Sequence, residues 1–230
     1  MTMATSDVQR NRASKIVATV NFHGVGKPAR ELEPGEDRYW IEQDEMFRIL
    51  DLIVGRLDVE VTCDDGNLSD LIHLAPALVD RNLTGTFFVL AGRIGESGSL
   101  GTGDIQELQN LGMKIGLHGY SHVSWRGLDE EKANRELGEA RHVIEDVAGH
   151  SVTSAAIPFG DYDRTTLGRL KQFGFQEVFT SDKGWSKRET FPRPRNSVGT
   201  GCQYSEVKHL LEHPRIGLFE RVKRIVKRCR

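Results

Sequence analysis

Val59-Glu60-Val61-Thr62-Cys63-Asp64-Asp65-Gly66 is the stretch on which the fold turns. Val59–Thr62 reads as a strand, and it runs straight into two carboxylates and a glycine. Parallel barrels keep their chemistry at the C-terminal ends of their strands, so acidic residues there are informative. Adjacent strand residues point to opposite faces. Asp64 and Asp65 therefore reach one site only if the backbone leaves strand geometry between them, and Gly66 makes such a turn inexpensive.

The same layout repeats outward from this stretch. Upstream, Ile16–Phe22 reads as a strand ending at His23. Gly24–Trp40 is a loop rich in Gly, Pro and charge, and Asp44–Val54 has the helical spacing Met46, Phe47, Ile49, Leu50, Ile53. Downstream, Leu71–Val79 reads as a helix despite Pro76. Thr86–Leu90 is an almost wholly apolar strand, as expected when both faces are covered. Asp104–Leu111 reads as a short helix with Asp104 as N-cap. Lys114–Leu117 is a strand ending at His118, with His122 just beyond. Asp129–Val147 is a long helix with the stripe Leu137, Ala140, Ile144, Val147. Ala155–Ile157 is a strand leading into Pro158-Phe159-Gly160, and Asp163–Phe173 is a helix stopped by Gly174. Val178–Thr180 is the next strand, ending at Ser181-Asp182. Ser205–Leu211 and Leu218–Arg228 read as helices. About six β/α units in one order imply a parallel sheet with helices outside it. A barrel is favoured over an open sheet, although pattern alone leaves closure open. With no repeat, low-complexity tract or linker, a single domain over residues 1–230 is expected, with a core at about 16–200 and a helical tail at 205–230.

Composition narrows the function classes. Of 230 residues, 38% are hydrophobic and 28% charged, which allows a sizeable core, and the net charge of −2 argues against nucleic acid as a partner. Cys63, Cys202 and Cys229 are odd in number and far apart, so neither a disulfide framework nor a Cys-based metal site is expected. Residues 1–15 lack the apolar core of a signal peptide, and no run approaches the ~18 apolar residues of a membrane span. The expected location is the cytoplasm.

Asp65, His118 and His122 supply one carboxylate and two imidazoles, a set that suits catalytic zinc or a related divalent metal and leaves positions open for water and substrate. Asp64 then stays free beside the bound water as a general base. Each piece alone is weak: His-x-x-x-His pairs are mostly surface or capping residues, and Asp-Asp-Gly is usually a turn. Their joint placement at successive strand ends carries the reading.

Thr62-Cys63-Asp64-Asp65-Gly66 resembles the Thr-Phe-Asp-Asp-Gly motif of the polysaccharide deacetylase (NodB-homology) family. Gly116-Leu117-His118-Gly119-Tyr120-Ser121-His122 resembles its His-Ser/Thr-x-x-His motif, and Ile157-Pro158-Phe159-Gly160 the end of its Arg-x-Pro-Tyr/Phe motif. Thr86-Phe87-Phe88-Val89 sits where the family has Ala-Thr-Phe-Phe. The resemblance covers roughly Val59 to Ser181. It implies an α/β fold, a distorted (β/α) barrel of the polysaccharide deacetylase type, and hydrolysis of N-acetyl groups on an N-acetylated saccharide, an exopolysaccharide or its precursor included. It also implies a metal, usually zinc, on Asp65, His118 and His122, with Asp64 activating water and a backbone N–H helping to stabilise the oxyanion.

Three departures from the family pattern matter. Gly119 stands where the family prefers Ser or Thr. Ala156 stands where the third motif has the Arg that orients the base; Arg193 or Arg195 would have to supply that cation, the alternative being that both are surface arginines in a Pro-rich turn. The general acid often comes from a late Leu-x-His-type motif, but His209 and His213 lie in a helical segment with no strand to aim them. His23, closing the first strand, fills the role instead, as in some family members. Tyr120, Pro158, Phe159 and Trp185 are the candidate pocket residues, though for a single aromatic core packing is the commoner fate.

Weaker signals add little. Asp65-x-Asn67-x-Ser69 imitates a calcium loop but has Asp70 at position six and Pro76 at position twelve. Gly199-Thr200-Gly201 lacks a nucleotide-binding context. The basic tail Phe219–Arg230 suits either peripheral contact with an anionic membrane or a solvated terminal helix. Two other functions stay open: a non-catalytic carbohydrate-binding or scaffold protein on the same barrel, and a metal hydrolase of another non-peptide C–N bond.

Overall fold

The computed structural model describes residues 16–217 and 226–227. Its strands are β1 (Ile16–Phe22), β2 (Gly24–Val25), β3 (Trp40–Ile41), β4 (Val59–Cys63), β5 (Gly85–Val89), β6 (Lys114–Leu117), β7 (Ser154–Ala156), β8 (Glu177–Thr180), β9 (Trp185–Lys187), β10 (Arg193–Pro194) and β11 (Asn196–Ser197). Strand order in the main sheet is β10-β8-β7-β6-β5-β4-β1-β11, and every pairing along it is parallel. The two ends of that list are neighbours in the chain. β10 pairs with β8 and β11 pairs with β1, so residues 193–197 cross from one edge of the sheet to the other and close it into a barrel. The Arg195 N–H donates to the Thr180 carbonyl at 3.0 Å and the Val198 N–H to the Asn21 carbonyl at 2.8 Å on either side of the crossing.

Closure is irregular because β1 shares one edge between two partners. Its first half pairs antiparallel with β9 (Ala18 opposite Trp185), and its second half pairs with β11 (Val20 opposite Asn196). This gives the distorted (β/α) barrel expected from the strand pattern. The antiparallel β9 and the closing crossing are departures from a plain six-unit alternation.

Alternation along the strands sorts side chains to the two faces. Ala18, Val20 and Phe22 of β1, Val61 of β4, Phe87 and Val89 of β5, Ile115 and Leu117 of β6 and Val178 of β8 belong to the large core shared with the helices. A second cluster of Phe88, Ala156 and Phe179 is separate from it and comes from the opposite face, inside the ring. Its neighbours there are polar: Thr19, Asn21, Thr62, Arg193 and Arg195 are all buried.

Helices flank the sheet. Gln43–Asp51 presents Met46, Ile49 and Leu50 inward. The second is a π-turn, Asp70–Leu74, running into Ala75–Val79, with Pro76 just past the π-turn, where the change of helical register falls. The helix expected at Asp104–Leu111 begins earlier, at Thr102, so Asp104 is not the N-cap. It sits at the third position and accepts from the Gly101 N–H at 2.8 Å. The long helix is Glu130–Ala133, a π-turn over Asn134–Glu139, and Ala140–Ala148. Arg164–Gln172 is capped by Asp163, and Tyr204–Glu212 is the last full helix among the described residues. The helix expected at Leu218–Arg228 lies outside the described residues apart from Val226 and Lys227. Among the described residues no helix is long and apolar enough to cross a membrane.

Candidate active site

β4 delivers both aspartates because its backbone turns left-handed immediately after Asp64. Asp65 has φ 76° and Gly66 φ 65°, and Asp is one of the few side chains that tolerates this region. The turn brings both carboxylates to one imidazole: His118 Nε2 lies 3.9 Å from Asp64 Oδ2 and 3.4 Å from Asp65 Oδ1. His122 Nε2 lies 3.6 Å from the same Asp65 oxygen.

Each histidine is oriented from behind. A carbonyl only accepts, so His118 Nδ1 carries the proton and donates to the Ala156 carbonyl of neighbouring β7 at 2.9 Å. That leaves Nε2 as the free donor atom facing Asp65. His122 is reached by another left-handed step (φ 54°), and its Nδ1 lies 2.7 Å from Glu33 Oε2. The loop between them hangs on buried Glu136, which accepts from the N–H groups of Tyr120 at 2.8 Å and Ser121 at 3.2 Å. Gly119 has φ +101°, and a Cβ there would stand 2.8 Å from the Glu136 carboxylate. The family's Ser or Thr does not fit this loop.

One donor atom from each of Asp65, His118 and His122 lies within 4.8 Å of the others. Asp65 Oδ1 is buried with no hydrogen-bond partner, a costly state for a carboxylate unless a cation meets it. Burial pushes the Asp65 carboxyl up, but His118, His23 and His122 together hold it well below the usual range. The set fits a divalent cation.

Asp64 lies in a different environment. Arg195, fully buried, grips it with two parallel bonds of 2.6 Å, Nη1 to Oδ1 and Nη2 to Oδ2. Asn21 Nδ2 adds a third at 3.1 Å, and Asn21 is itself fixed by the Thr62 hydroxyl, which donates to its Oδ1 at 2.6 Å. Burial raises the Asp64 carboxyl pKa, and Arg195 and His118 more than offset it, so Asp64 is held ionised below its ordinary value. His23 Nε2 lies 3.8 Å from Asp64 Oδ2, and its ring stacks on Tyr39 at 4.5 Å. Burial lowers the His23 pKa further than Asp64 and Asp65 raise it.

The polysaccharide deacetylase family model matches residues 54–178, a span that holds Asp64, Asp65, His118 and His122. The chain belongs to the polysaccharide deacetylase family. Among curated proteins it is 24% identical over 119 residues to YheN of Bacillus subtilis (strain 168), itself assigned to the polysaccharide deacetylases. That match covers 51% of this chain and 41% of YheN, so the chain spans less than half of that relative. Solved structures of similar fold include the Streptococcus pyogenes deacetylase PplD in complex with acetate (TM-score 0.72, 14% identity, 86% of this chain and 99% of that one). IcaB from Ammonifex degensii is another (TM-score 0.72, 22% identity, 87% and 98%).

This family member's site opens into a cavity of about 150 Å³ whose lining includes His23, Asp64, Asp65, His118 and His122, and beyond them Glu33, Arg38, Tyr39, Phe159, Ser181 and Ser197. Phe159 is held at φ 59°, is 61% exposed, and lies against the His122 ring at 4.6 Å. The other expected pocket residues lie elsewhere. Trp185 is buried in the main core, and its indole N–H donates to the Leu210 carbonyl at 2.9 Å, because β9 pairs with the first half of β1, away from the strand ends. Pro158 is buried beneath Phe159 in the same turn, and Tyr120 packs under the Arg135 guanidinium (4.6 Å); neither lines the cavity. The His209 and His213 rings lie tilted against each other at 4.3 Å at the C-terminal end of Tyr204–Glu212, and neither lines the cavity. Of the arginines weighed for Asp64, Arg193 instead pairs with Glu60 and Glu177.

Sequence reading missed Asn21, Glu33 and Tyr39. Asn21 left a trace: an amide side chain in a largely apolar strand, two before His23. Glu33 and Tyr39 sit in a charged loop whose pattern gave no sign that it folds over the site.

Proposed function

We propose that the protein is a metal-dependent deacetylase that hydrolyses N-acetyl groups of an N-acetylated saccharide, a class that includes exopolysaccharides and their precursors. The observation that carries this reading is the division of labour between adjacent aspartates. Asp65 offers a bare, buried oxygen beside two imidazoles, while Asp64 is ionised, oriented by Arg195 and kept out of that cluster. Two imidazoles and a carboxylate suit zinc, and Asp65, His118 and His122 would hold it. A zinc ion there supplies Lewis acidity, polarising the acetyl carbonyl and acidifying water.

The chain's own groups do the proton work. Asp64 accepts a proton from the attacking water, and Arg195 keeps it in the form that accepts. Attack at the acetyl carbon gives a tetrahedral oxyanion. Its collapse breaks the C–N bond, and the nitrogen must take a proton because an amide anion is a poor leaving group. His23, 3.8 Å from Asp64, is the group assigned to deliver it, and burial makes its imidazolium a stronger acid than ordinary histidine. Amine and acetate leave, so water is consumed and one C–N bond is exchanged for one C–O bond. Ala156 stands where the family pattern has the orienting Arg, and Arg195 supplies that cation to Asp64 from the closing crossing instead.

The test is acetate release from a panel of N-acetylated oligosaccharides alongside metal analysis. His118→Ala should lose tight zinc binding. Asp64→Asn and His23→Ala should keep zinc and each lower turnover by about 10²–10⁴. Full turnover in Asp64→Asn, or in protein stripped of metal, would sink the mechanism. Wild-type rates in His23→Ala would move the acid elsewhere.

A further inference from the structure

The segment between β2 and β3 carries a carboxylate to the back of the site. Glu33 lies 89 residues from His122 in sequence, yet its Oε2 is 2.7 Å from His122 Nδ1. The other carboxylate oxygen pairs with Arg93. His122 Nε2 meanwhile faces Asp65 at 3.6 Å. The ring is thus spanned by a carboxylate on one nitrogen and the candidate metal cluster on the other. His118 has only a backbone carbonyl behind it, so the two imidazoles are supported unequally.

The segment is anchored as well as placed. Glu36, 7% exposed, is gripped by Arg30 and also accepts from the Glu33 N–H at 2.9 Å. Arg30 Nε donates to Asn67 Oδ1 at 2.9 Å, three residues past Asp64. These bonds fix the backbone on both sides of Glu33 while its side chain remains 41% exposed at the cavity wall.

We propose that Glu33 is a positioning residue for metal binding, and that metal occupancy and docking of the residue 26–39 segment form one linked equilibrium. The proposal rests on the reading of Asp65, His118 and His122 as the metal ligands. A carboxylate accepting the Nδ1 proton fixes the tautomer, holds the ring in plane and makes Nε2 a better donor. Loss of such a partner typically costs about 10–100-fold in metal affinity. Linkage is reciprocal: if docked Glu33 tightens metal binding by a given factor, bound metal favours docking by the same factor.

The experiment uses the full chain, prepared without metal and titrated with zinc against a competing chelator. Glu33→Gln should weaken zinc about 10–100-fold while melting at the wild-type temperature without metal. Limited trypsin digestion gives a second readout, since Arg30 is held in its pair with Glu36 and cleavage after it requires the segment to lift off. Zinc should slow that cleavage strongly in the wild type and little in Glu33→Gln. A residue that merely held the loop would speed cleavage without metal and leave the zinc dependence unchanged. If Glu33→Gln does not fold, Glu33→Asp, which keeps the charge and shortens the reach, and Arg93→Gln, which removes the far brace, should give intermediate losses of affinity. Equal zinc affinity in wild type and the Glu33 variants would overturn the proposal and leave the metal site standing. A wild-type chain that binds no zinc would remove the metal reading itself.

Discussion

Arg195 is fully buried, and it spends its guanidinium on a carboxylate 131 residues away in sequence. Its planar fork matches both Asp64 oxygens at once, which a lysine does not reproduce. Arg195→Gln would leave Asp64 buried with Asn21 as its remaining strong donor, and burial alone drives a carboxyl pKa upward. The acid limb of the kcat/KM profile should therefore move to higher pH, and breaking a buried pair should cost about 3–5 kcal/mol of stability. The linkage runs the same way. Asp64 has a folded pKa below its ordinary value, so it contributes stability above that ordinary value that is lost as pH falls through the folded one. In Arg195→Gln the loss should begin at higher pH. An unmoved acid limb would separate Arg195 from the base. At this scale the placement of the cluster was legible in part: Asp64, Asp65 and His118 directly follow readable strands, and His122 lies just beyond one. Arg195 was one of two candidates, and nothing in Arg193-Pro194-Arg195 tells which one points at Asp64.

The elements around β4 show where local pattern stops. The strand and its acidic turn were readable, but the helix after it was not readable in detail. It opens as a π-turn whose first residue, Asp70, is 1% exposed. Asp70 Oδ1 accepts from the Cys63 thiol at 3.4 Å, and Oδ2 has no partner. Burial pushes the Asp70 carboxyl well above its ordinary value. A raised carboxyl pKa stabilises the fold below the ordinary value, and that contribution disappears as pH rises. At neutral pH Asp70 therefore works against stability. Asp70→Asn, which removes the ionisation without supplying a new partner, should raise the melting temperature at neutral pH, and the gain should shrink in acid. A destabilised Asp70→Asn at neutral pH would show that the ionised form is used. Gly24–Trp40 is the reverse case. Read as a plain loop, it carries the β2–β3 pair and aims Glu33 and Tyr39 into the site, through contacts that its own sequence does not encode.

At the scale of the molecule, the barrel brings together groups from β1, β4, β6 and the β10–β11 crossing. A ligand that binds only the folded ring stabilises all of it. Zinc at a hundred times its dissociation constant should add about 2.7 kcal/mol, seen as a higher melting temperature in the wild type and absent in His118→Ala. A zinc-induced rise in that variant would place the ion elsewhere. The sequence by itself determined the six principal strands, β1, β4, β5, β6, β7 and β8, with their parallel sense, and it placed Asp64, Asp65, His118 and His122 at or just past strand ends, because hydrophobic period and strand-end chemistry are local properties. Closure was decided by tertiary structure. Residues 193–197 read as a Pro-rich turn and become the joint between β8 and β1 only when both edges are present to pair with them. The same holds for the interior of the ring. Arg195 on Asp64 and Glu33 on His122 are contacts across 131 and 89 residues. Contacts of that separation are fixed by how the sheet curls and where its loops dock, and no window of sequence contains both partners.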